Sequence, residues 1–186
     1  MTKEKIRKNI TNEIDIPNGV DVSVNNQILL VKGPKGEVKK EMKQHIISIK
    51  VNQQKILFES KRNTKEDKKI MGSLVAHFKN MLKGSMENHN YVLKICAGHF
   101  PMNVSVSGNK LIVKNFLGEK VPRTLELKQG ADVKVEGDLV NVTSASKEIA
   151  SQVSADIEQL TRRPGFDTRI FQDGIYIINK DGKELK

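Results

Sequence analysis

The 186-residue sequence contains no tryptophan, a single cysteine (Cys96) and no long apolar run. A lone thiol excludes an internal disulfide and is typical of a reducing compartment, most simply the cytoplasm. The longest aliphatic runs have four or five residues, whereas a transmembrane helix needs roughly 20, so we predict no membrane crossing. The charged N-terminus leads into no apolar segment, and we therefore expect no signal peptide.

Negative charge is also scarce. The 22 aspartates and glutamates are outnumbered by 32 lysines and arginines, which gives a formal net charge of +10. Such an excess indicates a polyanionic partner, either nucleic acid or an anionic membrane face. Aromatic residues make up only 4% of the chain, but 37% of residues are hydrophobic, which is enough for a modest aliphatic core. The acidic residues are spread along the chain, unlike in a disordered basic tail.

A segment of the chain occurs twice. Residues 22–37, VSVNNQILLVKGPKGE, align without a gap with residues 104–119, VSVSGNKLIVKNFLGE, and eight of the sixteen positions are identical. Each copy has the alternating pattern of a β-hairpin, with Asn25-Asn26 at one tip and Ser107-Gly108-Asn109 at the other. The GPKG run at 33–36 predicts a tight turn that exposes Lys32 and Lys35.

The repeat continues into a helix. Residues 47–60 and 131–144 both read as strand, polar turn and strand, and TKE (64–66) and SKE (146–148) follow at the same offset. Asn63 or Thr64 is the predicted N-cap of the first helix, and the side chain of Glu66 or Asp67 is placed to accept a hydrogen bond from the backbone of the cap. The second helix has Ser144 or Ser146 for the same role. The predicted buried stripes are Ile70, Leu74, Phe78 and Met81 in the first helix and Ile149, Val153, Ile157 and Leu160 in the second.

These patterns predict an α+β protein made of two tandem copies of a small module. Each module is expected to be a curled, mostly antiparallel β-sheet packed on one α-helix. The predicted boundaries are residues 1–83 for the N-terminal module, 84–90 for a linker, and 91–186 for the C-terminal module. The second module carries an additional loop and a final strand, GIYIINK, that the first lacks.

No pattern indicates catalysis. The four histidines are scattered, Cys96 and His99 lack the further ligands of a zinc site, and the common nucleophile and nucleotide motifs are absent. Asp167 and Asp173 are interpreted as turn-capping residues, and Asp173-Gly174 as a hairpin turn. We therefore predict no enzymatic activity, small-molecule substrate, cofactor or metal site.

The basic residues are more informative. KRNTKEDKK (61–69) is interpreted as the solvated start of a helix, whereas Arg162, Arg163 and Arg169 lie in a loop interrupted by Pro164-Gly165 and interleaved with Phe166 and Phe171. Guanidinium groups bind phosphates and stack on bases, so we interpret this loop as an RNA anchor. The sequence leaves open whether Phe166 stacks on RNA or packs inward.

Three stretches resemble one protein family. GHFPMNVSV (98–106), NFLGEKVPR (115–123) and RIFQDGIYIINK (169–180) are similar to the archaeal and eukaryotic branch of the large-subunit ribosomal protein L-six family, whose eukaryotic member is called L-nine. The last stretch is the most specific, and the resemblance covers nearly the whole chain. The family's fold, a duplicated module of curled sheet and one helix, agrees with the repeat.

The resemblance implies a structural constituent of the large ribosomal subunit. It implies binding to large-subunit rRNA, mainly through the C-terminal module, near the sarcin–ricin loop and the base of the stalk. Neighbouring ribosomal proteins would lie there, and translation factors dock nearby. The implied rRNA-binding residues are Arg162, Arg163, Gly165, Phe166 and Arg169, together with Lys114, Asn115, Lys120 and Arg123. An RNA-binding adaptor that works outside the ribosome is the alternative.

Overall fold

The computed structural model describes residues 10–25, 28–42, 47–52, 54–60, 62–167 and 169–185. Contacts within the chain divide it into two compact units, one ending at Glu87 and the other beginning at Asn88. In the described part of the chain no helix has the length and apolar character needed to cross a membrane. Two residues used in the sequence predictions, Asn26 at a hairpin tip and Lys61, lie outside the described residues.

The described residues of the first unit form six strands followed by one helix. The strands are β1 (Ile10–Asp15), β2 (Asp21–Asn25), β3 (Ile28–Gly33), β4 (Gly36–Glu41), β5 (Ile47–Val51) and β6 (Lys55–Ser60), and the helix is α1 (Lys65–Met86). They form two antiparallel sheets in the orders β2-β3-β4 and β1-β6-β5. The GPKG turn joins β3 to β4 with Lys32 and Lys35 exposed, which confirms that prediction.

The second unit repeats this order and extends it. Its elements are β7 (His89–Cys96), β8 (Asn103–Ser107), β9 (Lys110–Lys114), β10 (Arg123–Glu126), β11 (Asp132–Glu136), β12 (Leu139–Ser144), α2 (Lys147–Leu160), β13 (Gly174–Lys180) and β14 (Lys183–Glu184). The sheet β8-β9-β10 matches β2-β3-β4, and β11-β12-β7 matches β5-β6-β1. β13 and β14 enlarge the latter sheet to five strands. The predicted α+β class and tandem duplication are confirmed.

The helices pack on the sheets through the expected apolar faces. In α1 the buried side chains include Leu74, Phe78 and Met81 as predicted, but Met71 is buried in place of Ile70. The Phe78 ring meets that of Phe58 from β6 edge-on, with 5.9 Å between ring centroids. In the second unit the fully buried residues include Leu93, Val113, Val140, Ile157 and Ile175. Complete burial of such a side chain stabilises a fold by about 1.5–3 kcal/mol.

The two helices begin differently. Thr64 caps α1 through its hydroxyl, which accepts from Asp67 N at 3.1 Å, and the Asp67 carboxylate accepts from Thr64 N at 3.4 Å. This reciprocal arrangement is a capping box. Ser146 occupies the equivalent position of α2 but its side chain makes no capping bond. Ser144 instead accepts from Ser146 N, at 3.1 Å, and donates to Gly130 O at 2.6 Å.

Residues 84–90, which the sequence predicts as a linker, are mostly in regular structure. α1 continues to Met86, and β7 begins at His89. Gly84 and Ser85 are buried within the helix. The Ser85 carbonyl also accepts a hydrogen bond from Lys35 N at 3.0 Å, which ties the last turn of α1 to the GPKG turn.

Candidate nucleic-acid interface

Two loops of the second unit contain nearly all the residues that the sequence predicts to bind RNA. Residues 115–122 connect β9 to β10, and residues 161–173 connect α2 to β13. In the first unit the connection equivalent to 115–122 is only the two-residue turn Pro34-Lys35. The elements around these loops are duplicated, but both loops are particular to the second unit.

The end of α2 fixes the position of the 161–173 loop. Thr161 is buried, and its hydroxyl donates to Glu158 O at 3.2 Å and accepts from Ile175 N at 2.9 Å. The Glu158 carboxylate accepts from Ile177 N at 3.2 Å. The side chains of Glu158 in α2 and of Thr161, just after it, therefore satisfy two backbone donors of β13, which lies toward the edge of the sheet.

Aromatic contacts connect the loop to the HFP segment after β7. The Arg163 guanidinium lies 4.3 Å from the centroid of the Phe166 ring. Phe166 meets Phe171 edge-on at 5.0 Å between centroids, and Phe171 stacks on His99 at 4.9 Å. Phe166 thus packs on Phe171, yet 39% of it remains exposed. This row of cation–π and aromatic contacts braces the arginine loop.

Asp173 is not a turn-capping residue, and Asp173-Gly174 does not form a hairpin, so both of those predictions are wrong. Its carboxylate accepts from His99 N at 2.9 Å and lies 2.5 Å from His99 Nδ1, while Gly174 begins β13 opposite Cys96 of β7. Burial alone would raise the pKa of Asp173. The hydrogen bonds from His99 and from the Gly98 N–H outweigh burial and hold the pKa below its ordinary value.

Asp167 does cap a turn, as predicted. Its carboxylate accepts from Arg169 N at 2.9 Å and from the Arg169 guanidinium at 3.1 and 2.8 Å. The side-chain and backbone hydrogen bonds from Arg169 lower the pKa of Asp167, and the same pairing raises the pKa of Arg169. Arg169 is highly exposed, but its guanidinium is already paired with the Asp167 carboxylate.

Arg123 bridges the two loops. Its Nε and Nη2 donate to the two carboxylate oxygens of Glu119 at 2.8 and 2.7 Å, and Nη1 donates to Leu160 O at 2.7 Å and Arg162 O at 3.4 Å. Its guanidinium also lies 4.3 Å from the centroid of the Phe116 ring. The hydrogen bonds from Arg123 lower the pKa of Glu119. Arg123 therefore holds the 115–122 loop against the C-terminal end of α2.

The remaining predicted residues divide into shaping and charged groups. Asn115 adopts a left-handed conformation (φ 59°) and donates from Nδ2 to Pro101 O at 2.9 Å, and Gly165 has φ 84°. Left-handed backbone favours glycine and asparagine. The other cations, Lys114, Lys120, Arg162 and Arg163, are exposed and form no ion pair within 4 Å with another described residue.

A pocket of about 440 Å³ opens between the end of α2 and the loops. Its exposed lining residues include Arg162, Arg163 and Phe166, and its partly or fully buried ones include Glu158 and Asp173. Sequence reasoning did not assign Glu158, Thr161 or Tyr176 to this site. Tyr176 lies within the C-terminal motif and could have been considered, but Glu158 and Thr161 give no signal beyond their place in a helix.

Among the described residues, no group of three or more histidine, cysteine, aspartate or glutamate side chains is arranged so that it could bind a metal ion. His99, three positions after Cys96, directs its Nδ1 to the Asp173 carboxylate.

Comparison with known proteins identifies related chains. The family model for ribosomal protein L6 matches residues 16–87 and 100–174. The large ribosomal subunit protein uL6 of Methanococcus vannielii is 44% identical over 176 residues, covering 95% of this chain and 97% of the relative. The uL6 proteins of Methanothrix thermoacetophila and Methanobrevibacter smithii are 39% and 40% identical over 180 and 172 residues. These alignments cover 97% and 92% of this chain, and 99% and 97% of the relatives.

Proposed function

The chain belongs to the ribosomal protein L6 family, and we propose from this premise that it binds large-subunit rRNA through the two loops of its second unit. The resemblance predicted from the sequence is confirmed. Membership in the family makes the chain a structural protein of the cytoplasmic ribosome and not an enzyme. The proposed location within the large subunit is near the stalk base and the site where translation factors dock.

One observation carries the proposal. Arg162 and Arg163 are exposed at the end of α2, form no ion pair within 4 Å with a described carboxylate, and lie in a loop fixed at both ends. Lysine and arginine contacts to phosphates supply most of the sequence-independent affinity for nucleic acid, because they release condensed counterions. A fixed loop loses little conformational freedom on binding, so more of that affinity is retained.

The predicted residues then take different roles. Lys114, Lys120, Arg162 and Arg163 contact phosphates, and the exposed face of Phe166 stacks on a base. Gly165 and Asn115 provide backbone conformations that shape the loops. Arg123 acts through Glu119 and Leu160 O as a positioning residue, and Arg169 is held by Asp167.

Charge reversal tests the anchor. The full chain carrying Arg162→Glu and Arg163→Glu is compared with a matched variant, Lys68→Glu and Lys69→Glu, which reverses two adjacent exposed cations of α1. Filter binding to an rRNA fragment that contains the sarcin–ricin loop and the stalk base measures the affinity. We expect the arginine variant to bind at least tenfold more weakly than the lysine variant. Equal losses would contradict an anchor in the 161–173 loop.

Sedimentation tests the adaptor alternative. A ribosomal constituent sediments with large subunits in a sucrose gradient, whereas an adaptor leaves a substantial slowly sedimenting pool. Crosslinking from Arg163 in assembled subunits gives the location: crosslinks to rRNA support the proposal, and crosslinks only to proteins contradict it.

A further inference from the structure

The pocket beside α2 has the size of a ligand site. Its volume of about 440 Å³ lies within the range of about 300–1,000 Å³ that is common for small-molecule sites. Residues of the 161–173 loop form one side of it, and Phe116 and Leu117 of the 115–122 loop contribute to the lining. Both loops belong to the second unit, which contains the whole pocket.

Positive and negative side chains line different parts of the pocket. The exposed Arg162 and Arg163 supply positive charge at the surface, whereas the half-buried Glu158 and the buried Asp173 supply carboxylates further in. His99 already donates to Asp173, whereas the side-chain carboxylate of Glu158 accepts a single hydrogen bond from the described residues, that of Ile177 N. A carboxylate can accept about four hydrogen bonds. A phosphate inside the pocket would therefore be repelled by two carboxylates, whereas a neutral group with N–H donors fits there.

Aromatic surface is available as well. Phe166 and Tyr176 both line the pocket and are each 39% exposed. Burial, followed by the nearby Cys96, Asp173 and Glu158, raises the pKa of Tyr176, so its hydroxyl keeps its proton at neutral pH and can both donate and accept. Nucleobases that leave their stack are commonly held by such combinations of an aromatic face and polar groups directed at the base edge.

We infer that this pocket binds one unstacked nucleobase of the RNA, a base with an exocyclic amino group that donates to Glu158, while Arg162 and Arg163 hold phosphates of the same strand. The inference rests on the proposed function and adds a base preference to it. Adenine, cytosine and guanine carry an amino group, whereas uracil has a carbonyl oxygen at the equivalent position of cytosine. That oxygen would face a carboxylate, so uracil is disfavoured.

Nucleotide titration of the full chain tests the inference without any rRNA. The probes are AMP, CMP, UMP and ribose 5-phosphate, and the readout is the ¹H–¹⁵N NMR signals of Gln159, Thr161 and Tyr176. We expect AMP and CMP to shift these signals saturably, with affinities at least about fivefold higher than that of UMP. Ribose 5-phosphate should shift only the signals of Arg162 and Arg163. The inference is overturned if AMP and CMP leave the pocket signals unmoved or if ribose 5-phosphate moves them equally.

Three variants separate base recognition from structure. Glu158→Gln keeps an oxygen that can accept from Ile177 N but replaces the other carboxylate oxygen with an amide donor. The ratio of the affinities for AMP and CMP to the affinity for UMP should therefore fall about fivefold, to near unity. Glu136→Gln makes the same change on the exposed β11–β12 hairpin and should leave the preference intact. Phe166→Leu keeps every charge and should weaken AMP binding about tenfold through lost stacking. An unchanged preference in Glu158→Gln would refute the inference.

The outcome for the pocket is independent of the outcome for the phosphate anchor. If Arg162→Glu/Arg163→Glu abolishes binding to the rRNA fragment while no mononucleotide enters the pocket, the proposed function stands and the base-binding inference fails. If the wild-type chain fails to bind the rRNA fragment, the proposed function fails, whatever the mononucleotides do.

Discussion

Arg123 and Glu119 form a two-pronged ion pair, with donor–acceptor distances of 2.8 and 2.7 Å, while a third nitrogen of the same guanidinium reaches Leu160 O at the end of α2. The sequence predicts Arg123 to be an rRNA ligand. Its three engaged nitrogens and the Phe116 ring beneath it give it an architectural role between the two loops.

Replacing Arg123 with lysine should therefore destabilise the second unit. Lysine keeps the charge but cannot make parallel bonds to Glu119 while also reaching Leu160 O. Hydrogen bonds to charged groups contribute about 1.5–3 kcal/mol when buried, so for this partly exposed pair we expect a loss of about 1–2 kcal/mol in the free energy of unfolding by urea. Arg162→Lys, at an exposed position, is the control and should change it by less than about 0.5 kcal/mol. Equal effects would show that the bridge is unimportant for stability.

Asp167→Asn should release a cation for RNA. Asparagine can still accept from Arg169 N and so preserve the turn, but it no longer neutralises the guanidinium. The rRNA fragment should bind more tightly at low salt, and the plot of log affinity against log salt concentration should become steeper by up to about 1. Asp132→Asn removes the same charge from β11, where Asp132 pairs with Lys134, and should change the slope little. Weaker binding by Asp167→Asn would contradict the prediction.

The unequal caps of the two helices predict unequal costs of truncation. Thr64→Ala removes a capping box and should lower the free energy of unfolding of the first unit by about 1 kcal/mol. Ser146→Ala removes a hydroxyl that makes no capping bond and should cost the second unit only a few tenths. Amide hydrogen exchange of α1 and α2 measures the two separately. Similar losses in both helices would mean that the Thr64–Asp67 contacts add no stability.

Acidification should weaken the contact between Asp173 and His99. Because the pKa of Asp173 is lower in the folded protein than its ordinary value of 3.8, its contribution is complete above that value and is lost as the pH falls through the folded value. Asp173→Asn should therefore be less stable than the wild type by about 1–2 kcal/mol at pH 6, with the difference shrinking below about pH 4. Urea unfolding from pH 6 to pH 3 measures it. A constant difference would show that ionisation of Asp173 contributes nothing.

The duplication made most of the fold predictable. An ungapped repeat with eight of sixteen identities requires the same strand pattern twice, and TKE and SKE place both helices within a residue. Of the predicted α2 stripe, Val153 and Ile157 are buried, whereas Ile149 and Leu160 pack against the core only partly buried. In α1, Met71 is buried in place of Ile70. Helical periodicity fixes a face only to within about one residue, and the packing against the sheets decides which side chain is covered.

The candidate site was predictable in its location but not in its internal contacts. Arg162, Arg163 and Phe166 stand out by their residue types and by the Pro-Gly break. The partner of Asp173, in contrast, is 74 positions away in the chain, and Arg123 reaches a carbonyl 37 positions away. Local patterns cannot reveal such contacts, which is why a local turn was wrongly predicted at Asp173 and why the intramolecular bonds of Arg123 were not predicted.

The pairing of β13 with β7 has a consequence for biosynthesis. Tyr91 faces Lys180 across these strands, so the middle of the five-stranded sheet joins residues from the beginning and end of the second unit. The described strands and helix of the first unit are complete once residue 87 has been translated, whereas the sheet of the second unit is incomplete until β13 has been translated, long after β7. Until then one edge of β7 lacks its partner strand, and we expect the nascent second unit to be vulnerable to aggregation and proteolysis during that interval.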